Sequence, residues 1–405
     1  MKILFVVPYV PSLVRVRPYN LIRHLSALGH EVEVVTTWTS EQDLEAARHL
    51  RDHCQGVQVA HLTRSRSLWN CLQALPTRTP LQAVYSWHPT LVREFQDRKW
   101  HADVIHVEHL RGAHYGLAFK SSSGNGRRAA PVVWDSVDCI THLFRQATYR
   151  NSTRLGRWLT RFELSRTERH EGWLINQFDR VLVTTSAERT ALLSLLPAGQ
   201  QWPGVKVLAN GVDLDYFTPG DVADRDRATI VVSGKMSYHA NAAMVLHLAH
   251  HILPAIWALR PDVKVCVVGQ APPRQVQALT QDRRISVMGG VRDIRPYLQR
   301  ATVAVAPLTY GAGIQNKVLE AMACATPVVA YPQAVSALAA QPGRDVLVGR
   351  EPAEFARAVL GLLDSAEQQV RIGQAGRSFV ERHHRWNVIA SQLVGMYDEL
   401  LCVER

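Results

Sequence analysis

The chain has 405 residues, too many for one hydrophobic core and suited to two domains of about 200 residues each. Hydrophobic residues make up 47% and charged residues 20%, which excludes the disordered and fibrous classes. The formal charge of +11 calls for an anionic partner, and composition leaves nucleic acid, an anionic membrane face and phosphorylated small molecules open.

The opening run MKILFVVPYV is apolar, but Pro8 and Pro11 break it and no small-residue cleavage site follows. It predicts a buried first strand rather than an export signal. No stretch approaches the ~18 uninterrupted apolar residues of a membrane-spanning helix. The cysteines are scattered without metal-ligand spacing, and together with the missing export signal they predict a reduced, cytoplasmic protein.

In chain order, short β-branched runs predict strands at 3–7, 32–36, 57–62, 104–107, 132–135 and 181–184. Helical patterns lie between them, such as 18–28, which follows Leu21, Leu25 and Leu28 and stops at Gly29. Near-continuous apolar strands alternating with helices describe a parallel sheet covered on both faces. The plan repeats with strands at 229–232, 263–268, 286–288, 303–306, 327–330 and 346–348. A further strand, 205–208, lies between two turn-rich stretches, and the domain boundary is expected there. The prediction is a first domain over 1–204, a second over 205–384, and a last helix over 385–405 packing back towards the first. The segment 121–128, SSSGNGRR, is expected to be a surface loop. Two doubly wound domains facing each other leave a cleft, and such sheets bind ligands at the carboxyl ends of their strands.

The most informative run is 306–331, APLTYGAGIQNKVLEAMACATPVVAY. A strand ends at Ala306, Gly311 to Gly313 make a tight turn, and a helix follows from about Gln315. The start of such a helix offers free N–H groups and a positive dipole end, which suit a diphosphate. Lys317 adds a mobile cation, and Glu320 a carboxylate able to accept from ribose hydroxyls. On its own the turn is equally an ordinary helix start with a solvated lysine and glutamate.

The segment resembles the donor-site motif of the retaining glycosyltransferases of family 4, which have the GT-B fold. Glu320-Ala321-Met322-Ala323-Cys324 and Thr326-Pro327-Val328-Val329-Ala330 follow the second half of that motif, while Ala312 stands where the family carries a first, sugar-orienting glutamate. Asn210-Gly211-Val212-Asp213, then Phe217 and Pro219, resembles the entry to the second domain. Ser233-Gly234-Lys235 resembles the Gly-Arg phosphate clamp with lysine for arginine, and Ala240 replaces a further lysine, so Lys317 is expected to supply that charge. Val268-Gly269 and Gly289-Gly290-Val291 resemble the loops bordering the base, or are plain sheet-edge turns.

In the first half, His109 after 103–108 matches the histidine lining the family's catalytic cleft, expected to position the sugar; a structural histidine is the competing reading. His106 is expected in the core, and Asp135 and Asp138 as loop-capping or cleft-polar residues. Arg15 and Arg17 lie in the loop 8–18, where many members carry a Gly-Gly pair and this chain has Leu13-Val14. They either meet phosphate of the donor or of a lipid-linked acceptor, or are solvated.

The stretch 145–169, from Arg145 to Arg169, holds seven arginines. With Leu155, Trp158, Leu159 and Phe162 at helical spacing, it is either an amphipathic contact for an anionic membrane or an ordinary domain helix. The resemblance implies transfer of a sugar from a nucleotide diphosphate sugar to a hydroxyl of a glycan or lipid-linked acceptor, with retention, in cell-envelope or exopolysaccharide synthesis. The expected donor site is Gly234, Lys235, Gly290, Val291, Gly311, Gly313, Ile314, Lys317 and Glu320. His109, Lys235 and Lys317 are expected at the reacting groups. No cofactor, metal or nucleic acid is expected. The protein is expected in the cytoplasm, at most peripheral to the inner face of the plasma membrane. A sugar-nucleotide epimerase on the same fold and a non-catalytic nucleotide-binding scaffold are the alternatives.

Overall fold

The computed structural model describes residues 1–13, 15–96, 101–121, 130–148, 154–197, 199–200, 202–311 and 313–403. The chain divides into two compact units, 1–209 together with 386–405, and 210–385.

The first unit is built on seven parallel strands: β1 (Lys2–Val7), β2 (Glu31–Trp38), β3 (Gly56–His61), β4 (Val104–Glu108), β5 (Val132–Val137), β6 (Arg180–Val183) and β7 (Val205–Val207). Their order is β3-β2-β1-β4-β5-β6-β7, which winds outward both ways from β1 and β4. Every residue of β4 is buried, as expected of a central parallel strand covered on both faces. The helix Val16–Ala27 closes one face by burying Leu21, Ile22 and Leu25. Ser40 starts the helix Glu41–Leu50 by accepting from Asp43 N at 3.2 Å.

The second unit repeats the architecture with β8 (Thr229–Ser233), β9 (Lys264–Val268), β10 (Ile285–Gly289), β11 (Val303–Ala306), β12 (Val328–Ala330) and β13 (Leu347–Val348), ordered β10-β9-β8-β11-β12-β13. The continuous helical stretch His239–Leu259 has a mean hydropathy of 1.5, long and apolar enough to cross a membrane by composition. Ala240, Met244, Val245, Leu248, Ile252, Leu253 and Ile256 are nonetheless buried in this unit. One π turn, Leu248–Ile252, precedes Pro254. Proline has no N–H to continue the i→i−4 ladder, so the turn widens ahead of it.

The boundary between the two units differs from expectation. β7 pairs with β6 through Val181–Val205, Leu182–Lys206 and Val183–Val207, so it completes the first sheet and the division falls after Ala209 instead of after residue 204. The last helix, Trp386–Val403, belongs to the first unit. Its Trp386, Ile389, Ala390, Leu393 and Tyr397 are buried in one cluster with Ile3, Phe5, Leu21 and Leu25. Residues 122–129 of the expected surface loop lie outside the described residues.

Candidate functional site

The polar residues of the second unit gather where its strands end. Gly234 follows β8 with φ +143°, and its N–H donates to Val268 O at 3.1 Å. Gly269, just after β9, donates to Gly289 O at 2.8 Å. The loops after β8, β9 and β10 are thus laced edge to edge. A β-carbon on Gly269 would overlap the Gly234 carbonyl oxygen, so no larger residue fits at that crossing.

The turn after β11 is pinned from several directions. Gly311 and Gly313 have φ +153° and +68°. Gln333 Nε2 donates to Gly311 O at 2.6 Å. Tyr310 Oη and His239 Nδ1 lie 2.8 Å apart, with their rings stacked at 5.3 Å between centroids. Ala312, at the sugar-orienting position, lies outside the described residues. Ile314 is buried.

The helix that follows, Asn316–Ala323, has no acidic residue in its first turn, and its N-cap residue Gln315 makes no side-chain cap. Its positive end is therefore not neutralised by a carboxylate of its own first turn. Lys317 lies across this end, with Nζ donating to Gln315 Oε1 at 2.8 Å. Its Cε is 3.1 Å from where a β-carbon on Gly234 would stand. The lysine expected to compensate for Ala240 thus touches the glycine turn that carries Lys235. Ala240 itself is buried, while Lys235 is exposed.

Burial draws the Lys317 ammonium down to about 8, against the opposing pull of Glu320. The Glu320 carboxyl is pushed up to about 7 by burial, with Lys317 holding it lower. Both groups therefore change charge near neutrality, where a bound anion or hydroxyl would tip them. Asn241 Nδ2 donates to Lys235 O at 3.0 Å. The buried Oδ1 atoms of Asn241 and Asn316 have no hydrogen-bond partner among the described residues. Gly290 is exposed beside Gln270. Val291 lines a groove of about 640 Å³ with Cys266, Met288, Pro296 and Tyr297.

The strand ends of the first unit hold a different kind of cluster. Arg17, expected to meet phosphate, is buried, and its Nε donates to Asp135 Oδ2 at 2.8 Å. A second nitrogen, Nη1, donates to Ala209 O at 3.2 Å. That expectation is corrected: the guanidinium is consumed by a buried carboxylate that itself needs a cation. Asp135 Oδ1 accepts from Val137 N at 3.2 Å, capping the end of β5 as expected of a loop cap, while its Oδ2 takes Arg17, so it is not a free cleft residue. Burial would raise its carboxyl, but Arg17 and His106 outweigh it and hold it below the usual range. His106 is fully buried, 3.5 Å from Asp135 on one side and hydrogen-bonded to Tyr397 Oη at 2.8 Å on the other.

Arg15 stays half-exposed, 3.3 Å from Asp43 and stacked 4.9 Å over Tyr9. Leu13 is exposed, while Val14 lies outside the described residues.

His109 stands at the end of β4 with φ +66°, beside Val137 at the end of β5 with φ +67°. A left-handed backbone at a non-glycine residue stores strain, most of all at β-branched valine. Burial, reinforced by Arg111, lowers the His109 imidazole to about 4, so it is neutral near pH 7. Its neighbour Glu108 escaped the sequence reading. Tyr9 Oη donates to Glu108 Oε1 at 3.0 Å, and burial, reinforced by Asp135, pushes this carboxyl up to about 8. The first unit's helix after β5, Ile140–Thr148, is no anion site. Glu188 accepts from Cys139 N at 2.6 Å and Glu171 from Ile140 N at 2.9 Å and Thr141 N at 2.8 Å, so two carboxylates already cover its positive end.

Within 145–169, Arg145 pairs with Glu168 at 2.6 Å, and Arg166 is buried. The side chains of Leu155, Trp158 and Leu159 lie outside the described residues. Among the described residues, no group of three His, Cys, Asp or Glu could hold a metal ion. Gln333, His239 and Tyr310 were not visible in sequence, because each acts on a loop distant in the chain, and Asn241 was not visible because its bond to Lys235 O follows no motif.

Two parallel-sheet Rossmann-like domains with a phosphate-suited helix start after the fourth strand of the second sheet define the GT-B class of folds. Solved structures agree. Sucrose-phosphate synthase from Thermosynechococcus elongatus superimposes with a TM-score of 0.68 at 18% identity, covering 100% of both chains. HepE from Anabaena, in complex with UDP and glucose, gives 0.68 at 17%, covering 98% of this chain and 100% of that one.

The chain belongs to Glycosyltransferase Family 4, whose model matches residues 14–216, and residues 227–365 match the model of Glycosyl transferases group 1. Among curated relatives, D-inositol 3-phosphate glycosyltransferase 2 of Catenulispora acidiphila is 30% identical over 56% of this chain and 57% of its own length. The D-inositol 3-phosphate glycosyltransferase of Xylanimonas cellulosilytica is 27% identical over 93% and 89%. The chain spans about half the length of the first curated relatives it matches, 57% and 48% for the Catenulispora and Geodermatophilus obscurus proteins.

Proposed function

We propose that this protein transfers a sugar from a nucleoside diphosphate sugar to a hydroxyl acceptor, with retention at the anomeric carbon. The observation that carries the reading is the end of the helix Asn316–Ala323, free of any acidic first-turn residue, with Lys317 laid across it against Gly234. A diphosphate there would meet helix N–H groups, the Lys317 ammonium and Lys235 from the facing loop, which together stabilise charge gathering on a leaving diphosphate. Glu320, one turn further on, would accept from the ribose hydroxyls. HepE, of similar fold, is described in complex with UDP and glucose, which supports a nucleotide donor.

His109 is neutral and held in a strained backbone, a state suited to hydrogen bonding with a sugar hydroxyl and unsuited to providing charge. The relatives named for D-inositol 3-phosphate support a phosphorylated, hydroxyl-rich acceptor, which also suits the charge of +11. We place the activity in the cytoplasm, in cell-envelope or exopolysaccharide synthesis, without metal or cofactor.

The test is a thermal-shift panel of UDP, GDP and ADP against wild type and Lys317→Ala. A nucleotide that binds only the folded state raises the melting temperature, and the variant should lose most of that rise. If every nucleotide leaves the melting temperature unchanged, the assignment fails. With the nucleotide known, the product from the matching donor decides the chemistry. A changed sugar nucleotide without acceptor identifies an epimerase, and binding without turnover identifies a scaffold.

A further inference from the structure

The helix Arg64–Ala74 packs with the wrong side out. Its inward stripe is Ser67, Asn70 and Ala74, all buried. Its outward stripe is Leu68 at 64% exposure, Trp69 at 57% and Leu72 at 57%, continued past the helix end by Leu75 at 47%. A helix of an ordinary soluble domain turns its large apolar residues to the core. Here the reversal is enforced by polar contacts. Thr63 caps the start by accepting from Arg66 N at 3.2 Å. Asn70 Nδ2 donates to Trp87 O at 2.9 Å on the inner face. Arg166 Nη2 closes the end, donating to Ala74 O at 2.5 Å and Thr77 O at 2.7 Å. Rotating the helix to bury the leucines would strand Asn70 and disturb the Arg166 bonds, so the apolar face is held outward.

The charged residues of this segment have one sign, and the carboxylate that comes near it from elsewhere in the chain, Glu163, is engaged by Leu81 N–H at 3.0 Å. Arg64 and Arg66 occupy the first turn and Arg78 follows Leu75, while no aspartate or glutamate occurs between Asp52 and Glu94. Arg64 and Arg78 are exposed. An apolar stripe with a tryptophan, bordered by arginines, matches a bilayer interface, where acyl chains take the leucines and anionic headgroups take the cations. A second copy of this chain fits less well, since a two-fold contact would bring the same arginines together.

We propose that Leu68, Trp69, Leu72 and Leu75, with Arg64 and Arg78, form a docking surface for an anionic lipid bilayer. The helix lies in the plane of the interface and does not span it. Of the stretch 145–169, Arg166 acts as the clamp that holds the helix.

The test is flotation of the full chain with phosphatidylcholine vesicles, with and without phosphatidylglycerol. The wild type should float with the phosphatidylglycerol vesicles and far less with phosphatidylcholine alone. Replacing Leu68, Trp69 and Leu72 together by glutamine should lower binding roughly tenfold or more, with the melting temperature kept. Arg64→Gln with Arg78→Gln should selectively weaken binding to the anionic vesicles, and serves as the second variant should the first fail to fold. A wild type that floats with neither vesicle, or variants that float like the wild type, would overturn the proposal. So would a concentration-dependent dimer that the triple variant abolishes while vesicles bind nothing. Nucleotides are absent from this assay, so its failure leaves the donor-site reading standing, and the reverse holds.

Discussion

Lys317 lies over Gly234, its Cε 3.1 Å from the place a β-carbon on that glycine would take. The two residues are far apart in sequence and come from different strand ends, so the contact joins the loop after β8 to the helix after β11. Gly234→Ala tests it. The new methyl would stand 2.8 Å from Asn241 Nδ2 and crowd Lys317, at a backbone φ of +143°. We expect a stability loss of about 1–3 kcal/mol and roughly tenfold or more weaker nucleoside diphosphate binding, measured by calorimetry and urea melts.

The lysine also sets a pH dependence. Its ammonium titrates at about 8, drawn down by burial, so nucleotide affinity should be full below that value and fall as pH rises through it. The decline should approach a factor of ~10 per pH unit above the midpoint. Lys317→Arg, which stays charged, should flatten the profile. A wild-type profile that stays level from about one pH unit below the lysine's value of about 8 to about one unit above it would remove Lys317 from the phosphate site.

Glu320 points the other way. Its folded-state value of about 7 lies above the ordinary 4.5, so the folded chain holds a proton that the unfolded chain releases. Its contribution is intact in acid and is lost as pH rises from 4.5 through about 7. Glu320→Gln should therefore be more stable than wild type at pH 8, in thermal melts, while binding nucleotide less tightly. A variant that gains stability and keeps full affinity would show that this carboxylate does not serve the ligand.

Arg17 and Asp135 form a buried pair at 2.8 Å. Arg17→Ala leaves the carboxylate without its cation in the core, at a cost of about 3–5 kcal/mol. Arg17→Met combined with Asp135→Leu should lose far less than the sum of the two single changes. Denaturant midpoints of the single and double variants provide the comparison.

The strands were legible because parallel-sheet strands are apolar on both faces, and runs such as 3–7 and 303–306 have few other uses. The glycine turn after β11 was legible because glycines and a lysine crowd into one short helix start. Arg17 was misread because an arginine at a helix start resembles any other, and its partner Asp135 is on β5, far along the chain. The boundary slipped because Val205–Val207 is a short apolar run between two turns, and composition does not say which sheet has an open edge. The helix Arg64–Ala74 was overlooked for a related reason. Leu68, Trp69 and Leu72 read as core by type, and only the anchoring of Asn70 shows which side faces in.

The placement of Trp386–Val403 has a consequence for how the chain is made. Synthesis delivers β1 to β7 first, yet the cluster over Ile3, Phe5 and Leu21 stays open until Trp386, Leu393 and Tyr397 emerge. The unit at 210–385 has its own sheet and all of its strands by then, so it matures while the earlier one waits half-built. A ribosome that stalls before codon 386 therefore releases a chain whose later half is finished and whose earlier half is not. Quality control would meet an exposed groove on the first sheet where the last helix belongs.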